Sequence, residues 1–184
     1  MKVPAMLFSL VVLCFLAGIS CAAERAKVSL PQTRPLTAAC VLDAARAGGL
    51  PAAALFGILA TEGGKTGEAL RNTNGTWDMG PFQINTVHVD TLAAMGKDPL
   101  AIDTAAMGIS PDAVLRDGRV NAYAAAWLLR REYLRTGDIW QAIGAYHSRT
   151  PHRRDAYMAR VRANLEKLHR RGIAMLPSLQ EARP

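Results

Sequence analysis

Several common signatures are missing from this chain. It has three cysteines in 184 residues, and two of them, Cys14 and Cys21, lie in an N-terminal stretch with the form of a leader. Without that stretch Cys40 is alone. A single thiol makes no internal disulfide. No His or Cys stands at ligand spacing around it, so it starts no zinc site, and it reads as a small buried residue. No internal repeat is visible and no heptad pattern is sustained, which excludes a solenoid and a long coiled coil. No apolar run reaches the roughly 20 residues that a spanning helix needs.

The leader has three parts. Lys2 gives a positive start, Met6 to Gly18 is uncharged and apolar, and Ser20-Cys21-Ala22-Ala23 offers small residues for cleavage. This is the pattern of a secretory signal peptide, expected over 1–23 and implying export to the periplasm. Cys21 also allows a lipid anchor on a new N-terminal cysteine, but Leu16-Ala17-Gly18-Ile19-Ser20 lacks a clean lipobox. About 160 residues remain, which suits one domain with its own core.

Positive charge is absent as a general property. Residues 24–146 balance at 12 basic and 12 acidic, whereas residues 147–184 carry 9 basic and 3 acidic. The net +7 is therefore largely C-terminal. Such a tail suits an anionic surface, nucleic acid or plain solvation, and nothing in it specifies nucleic acid.

Residues 24–35, with Pro31 and Pro35, read as an exposed lead-in. Thr37 caps a helix expected over 38–47, which Gly48-Gly49 ends. Pro51 opens the next helix, which stops at Gly63-Gly64. Residues 65–85 are rich in Asn, Gly and Thr, and Asn74-Gly75 signals a turn, so a loop or small hairpin is expected. A short helix follows over 86–95, then an irregular stretch to about 117. Val120, Tyr123, Ala124, Trp127, Leu128 and Leu134 mark a helix over 119–135. Gly137-Asp138 breaks it and caps another over 139–146. Tyr157, Val161, Leu165 and Leu168 form the stripe of a helix over 153–170. Residues 172–184 read as a loose tail. The expectation is a mostly α domain with one irregular polar insertion.

One carboxyl is out of place. Leu55, Ile58, Leu59 and Glu62 share a helix face, so Glu62 ends a stripe that should be buried. Desolvation raises the pKa of such a group. A carboxylic acid that stays protonated near neutral pH can donate a proton to a leaving oxygen, as a glycosidase requires. A solvent-facing Glu in a last helical turn is the plain alternative. Gly63-Gly64 would let a bulky polymer approach.

Two other segments supply groups suited to sugars. In NTNGTWDMGPFQIN (72–85) the amides, Gln83 and Asn85 among them, offer paired donors and acceptors for hydroxyl and N-acetyl groups. Trp77 can stack on a sugar face, although an aromatic in such a loop is more often a core plug. Gly80-Pro81 makes a sharp turn that exposes a carbonyl. In AIGAYHSRTP (142–151), Tyr146 offers a phenol to hold the acid. His147 offers an imidazole, though a lone His at a helix end is more often structural or solvated.

These three segments together resemble the motifs of the soluble lytic transglycosylase family, the Slt-like branch of the lysozyme superfamily. ILATEGG (58–64) resembles the helix ending in the catalytic Glu. NTNGTWDMGPFQIN resembles the Gly-Leu-Met-Gln-Ile-Asn element with its Asn-Gly lead-in, and AIGAYHSRTP the Ala-Tyr-Asn-Ser/Ala-Gly element. Order and separations match over about 38–165. The nearest subgroup by resemblance accompanies conjugation, type III or IV secretion and pilus systems.

The resemblance implies a lysozyme-like α-helical domain over 36–171, monomeric, with a cleft for peptidoglycan, and a secretion, conjugation or pilus machine as partner. It implies Glu62 as acid and then base, Gln83 and Asn85 at the substrate, and Tyr146 orienting Glu62. Gly80, Trp77 and His147 would shape the site. No metal, cofactor or second catalytic carboxylate is implied. The bond between N-acetylmuramic acid and N-acetylglucosamine would be cleaved with closure of a 1,6-anhydro ring. The chain departs from the family pattern at Gly63 (usually Ser), Pro81-Phe82 (Leu-Met), His147 (Asn) and Arg149 (Gly).

Two rival readings remain. Asp78, 16 residues after Glu62, could make the enzyme a hydrolytic lysozyme, although structuring the Asn-Gly turn is its simpler role. The chain could also be a non-catalytic wall-binding assembly protein with a docking tail.

Overall fold

The computed structural model describes residues 32–94 and 108–171. The signal peptide read over 1–23, most of the lead-in and the tail over 172–184 lie outside the described residues.

Caps and breakers set the first two helices. α1 (Ala38–Ala47) starts at Thr37, whose Oγ1 accepts from the Cys40 amide at 3.3 Å. Cys40 is half-buried, not buried as expected, because it sits in the first turn beside that cap. Pro51 precedes α2 (Ala52–Glu62), which ends where Gly63 turns left-handed at φ +64° and donates back to Leu59 O. Leu55 and Ile58 are buried on the stripe that leads to Glu62.

The polar insertion is a small antiparallel sheet in the order β1 (Ala69–Arg71), β2 (Trp77–Met79), β3 (Ile84–Asn85). Asp78 pairs with Leu70 on one side and Asn85 on the other. Met79, Phe82 and Ile84 anchor this insertion in the core. The Asn-Gly turn closes through Asn72 N to Thr76 O at 2.8 Å and Gly75 N to Asn72 O at 3.0 Å. Asn74 Oδ1 accepts from both the amide and the hydroxyl of Thr76.

α3 (Thr86–Ala94) follows directly. The stretch read as irregular up to 117 contains one more helix, α4 (Pro111–Arg116). It is too short for periodicity, but its cap was visible as Ser110-Pro111, and Ser110 Oγ accepts from Ala113 N at 3.1 Å.

The long helix α5 (Gly118–Thr136) is the buried axis of the fold. Ala122, Ala124, Ala125 and Ala126 are fully buried, and their small side chains let neighbours pack close. It packs against α1, α4 and α6 (Ile139–His147). Leu134, read as part of the apolar stripe, is 54% exposed, because the last turn presents Glu132 and Tyr133 inward instead. α7 (Pro151–Arg170) lies against both α6 and α2, burying Tyr157 and Val161. The exposed lead-in is pinned at Arg34, whose backbone exchanges hydrogen bonds with Arg116 and Gly118 at 2.8 Å. The expected mostly α architecture with a small sheet, consistent with a lysozyme-like fold, is what these elements build.

Candidate active site

Glu62 ends α2 at the mouth of a cleft of about 500 Å³. Its Oε1 accepts a hydrogen bond from the Tyr157 hydroxyl at 2.6 Å. Burial pushes the Glu62 pKa above its ordinary value. The Tyr157 hydrogen bond and the Arg160 charge pull it down, the Asp78 charge pushes it up, and burial prevails. With Oε1 engaged, Oε2 is the oxygen left to carry a proton.

Tyr157 is 1% exposed and held on both sides. The His147 ring lies parallel to it at 4.7 Å, and the Arg160 guanidinium stands 5.3 Å from its ring centroid. Burial, then the Glu62 charge, raises the Tyr157 pKa far beyond the phenol range, so it acts as a donor and not as an acid. His147, whose imidazole the sequence analysis set beside Tyr146, packs against this phenol at the cleft wall. Burial, Arg160 and Arg153 lower its pKa, which leaves it neutral at pH 7.

Tyr146 takes a different place from the one the resemblance implied. Its hydroxyl donates to Phe82 O at 2.9 Å, and the phenol on Glu62 is Tyr157. The geometry explains the exchange. α6 carries Tyr146 over the insertion loop, whereas α7 lies directly on α2, where Asn164 also bonds Ala60 O and Thr61 Oγ1.

The loop before Gln83 is clamped. Asn121, fully buried on α5, donates to Met79 O and Val114 O and accepts from Phe82 N, each at 2.9 Å. The Phe82 peptide is thus held through its N–H by Asn121 and through its carbonyl by Tyr146. Between these anchors Gln83 adopts φ +50°, a left-handed conformation that costs a non-glycine residue about 1–2 kcal/mol. Its Nε2 donates to Gly80 O at 2.8 Å. Gly80 has φ +69°, and a Cβ there would strike the Asn121 amide. A Cβ on Gly64 would overlap both Gly80 O and Gln83 Nε2. The chain after Glu62 is therefore packed hard against the Gln83 loop.

Asp78 and Asn85 face the same cleft. Asn85 Nδ2 donates to Asp78 Oδ1 at 2.7 Å and to Thr76 Oγ1 at 3.0 Å, while its Oδ1 accepts from Val87 N at the start of α3. Asp78 is not part of the Asn-Gly turn, contrary to the simpler role considered for it, because Asn72, Asn74 and Thr76 hold that turn. Trp77 lies on the opposite face of β2 from Asp78 and is 42% exposed. It is no core plug, and it does not line the cleft.

An acid on a buried stripe, a clamped Gln loop and a phenol-bearing helix thus converge on one cleft. Residues 39–165 match the transglycosylase SLT domain family. The chain belongs to that family. It is also similar to two curated Escherichia coli proteins, each named X polypeptide, at 26% identity over 98 residues. Those matches span 47% of this chain and 58% of each relative, so the chain covers little more than half of their length.

Within this SLT domain, sequence reasoning brought Glu62, Gln83, Asn85, Tyr146 and His147 to one place, and all five line the cleft. It missed Tyr157, Asn121, His88 and Arg153. Tyr157 was assigned to the core stripe of α7, yet a buried Tyr needs a partner for its hydroxyl, which was the available signal. Asn121 gave a similar signal, as an amide among alanines in the most buried helix. His88 and Arg153 also line the cleft, and neither carried a sequence signal beyond its residue type.

Proposed function

We propose that the protein is a peptidoglycan lytic transglycosylase in which Glu62 serves alone as acid and then as base. The supporting observation is the Glu62 carboxyl itself, raised in pKa by burial, held by Tyr157 at 2.6 Å and open to the cleft. In the first step Glu62 gives its proton to the oxygen linking N-acetylmuramic acid to N-acetylglucosamine, and the bond from the muramoyl C1 to that oxygen breaks. The substrate's own acetamido group supports the cation that develops at C1. Gln83, held by the clamped loop, positions the sugar through the part of its amide that Gly80 does not take. Asn85, engaged by Asp78, Thr76 and Val87, holds the cleft wall behind it. In the second step the C6 hydroxyl closes on C1 and returns its proton to Glu62. No water enters the product.

A hydrolytic reading is favoured by one observation: Asp78 lines the same cleft and its charge acts on Glu62. One Asp78 oxygen is engaged by Asn85, which suits a carboxylate that structures the sheet better than a nucleophile. Asp78→Asn separates the two. Retained release of anhydro products, within about tenfold of wild type, fits the lone-acid mechanism, and loss by the roughly thousandfold expected of an essential carboxylate fits the hydrolase.

The activity as a whole is tested by digesting purified peptidoglycan with wild type and with Glu62→Gln. Muropeptides released only by wild type support the reading. No release by either protein leaves a wall-binding assembly protein. We further infer action in the periplasm, opening the wall locally for a secretion, conjugation or pilus machine. The leader over 1–23 and the resemblance to that subgroup support it. A host carrying Glu62→Gln in place of wild type is expected to lose the machine's output, and unchanged output counts against this role.

A further inference from the structure

The cleft continues past Tyr146. His88, Tyr146 and Ser148 line both the catalytic part and a second recess of about 450 Å³, whose far wall holds Arg131, Glu132 and Arg149. Glu132 is 2% exposed, and three guanidinium groups surround it: Arg149 at 2.6 Å, Arg135 at 2.8 Å and Arg131 at 3.4 Å. Burial works against ionisation of Glu132, but the hydrogen bonds from Arg149 and Arg135 outweigh it and hold its pKa below the ordinary value. One carboxylate therefore meets three fixed cations, and the wall keeps an excess of positive charge.

Arg131 has donors to spare. Its Nε faces Glu132 Oε1 at 3.4 Å without hydrogen-bond geometry, and its guanidinium lies 5.0 Å from the Trp127 ring centroid, which fixes its plane. A guanidinium fixed on the wall of a recess and only loosely paired there is matched by an anion. Arg149 stands where the resembled family element has Gly, so this wall is a feature of the present chain.

We propose that this recess binds a carboxylate of the glycan strand whose cleavage site lies at Glu62, so that the enzyme selects strands by their acidic substituents. The inference rests on the peptidoglycan reading above. Two parts of that polymer carry the required group: the lactyl carboxylate of muramic acid, free once the peptide is removed, and the carboxylates of the stem peptide. A planar guanidinium pairs with either in the same bidentate manner.

The test measures binding by a protein that cannot cleave. Full-length Glu62→Gln protein is sedimented with native sacculi, with sacculi whose carboxylates are amidated by carbodiimide and ammonia, and with amidase-stripped strands that keep only the lactyl group, before and after the same amidation. Binding to native sacculi is expected to be about tenfold tighter than to amidated ones. Adding Arg131→Gln removes that preference, Arg131→Lys retains part of it, and Arg170→Gln at the far end of α7 leaves it. Preference for native over amidated sacculi assigns the stem peptide, whose carboxylates are the free ones there, and preference for stripped strands over the same strands amidated assigns the lactyl carboxylate. Equal binding of the parent protein to native and amidated sacculi, together with equal binding to stripped strands before and after amidation, overturns the proposal, whether or not the Arg131 variants fold. Equal losses from Arg131→Gln and Arg170→Gln also overturn it, since general basic charge then suffices. The peptidoglycan-cleaving reading fails separately, in the products released by wild type, which this binding measurement does not use.

Discussion

Tyr157 donates to Glu62 at 2.6 Å across two helices, joining residues 95 positions apart in the chain. That contact exists because α7 packs directly on α2, and it turns an ordinary helix-end carboxyl into one with a fixed orientation. His147 and Arg160 hold the phenol in turn.

Tyr157→Phe removes the hydrogen bond but keeps the ring. The bond lowers the Glu62 pKa, so its loss moves the basic limb of kcat/KM to higher pH. Loss of orientation reduces kcat about 10- to 100-fold. A pH–rate profile on soluble glycan strands checks both effects.

Glu62→Gln abolishes turnover by about a thousandfold or more. It also stabilises the fold. A carboxyl whose folded pKa is raised contributes stability below its unfolded pKa and loses it as pH rises through the folded value. The variant is therefore expected to melt roughly 2–5 °C above wild type at pH 7.5, and at the same temperature near pH 3.5. Thermal melts at the two pH values check the sign.

Gly64→Ala places a methyl group against Gly80 O and Gln83 Nε2. The Gln83 loop must move relative to Glu62, and a displacement of about 1 Å lowers kcat/KM on the order of 100-fold. Circular dichroism should show an intact fold beside that loss.

Asn121→Leu leaves Met79 O, Val114 O and Phe82 N without their partner in the core. Each buried unsatisfied group costs about 1–3 kcal/mol, so a loss of about 3–5 kcal/mol is expected. Denaturant unfolding measures it.

The order of helices was legible because caps and breakers are local. Thr37, Pro51, Gly63 and Asp138 each act within one turn, and each marks an element boundary in the structure. α4 escaped because six residues show no period. The cleft carboxyl was legible for the same local reason, since Glu62 shares a face with Leu55 and Ile58. Its partner was not, because Tyr146 and Tyr157 are equally plausible phenols until the packing of α7 on α2 chooses between them. Asn121 was hidden likewise: nothing near it in the chain shows that its amide closes a loop 40 residues earlier. The second recess depends on Arg149, between α6 and α7, reaching Glu132 on α5, a tertiary contact with no local sequence trace.

The mass of the fragments that wild-type protein releases from purified peptidoglycan tests the central claim most directly. Glu62 acting alone as acid and base predicts muropeptides that end in 1,6-anhydro-N-acetylmuramic acid, each lighter by one water than its hydrolysed counterpart. Fragments with free reducing ends from the earliest times contradict it.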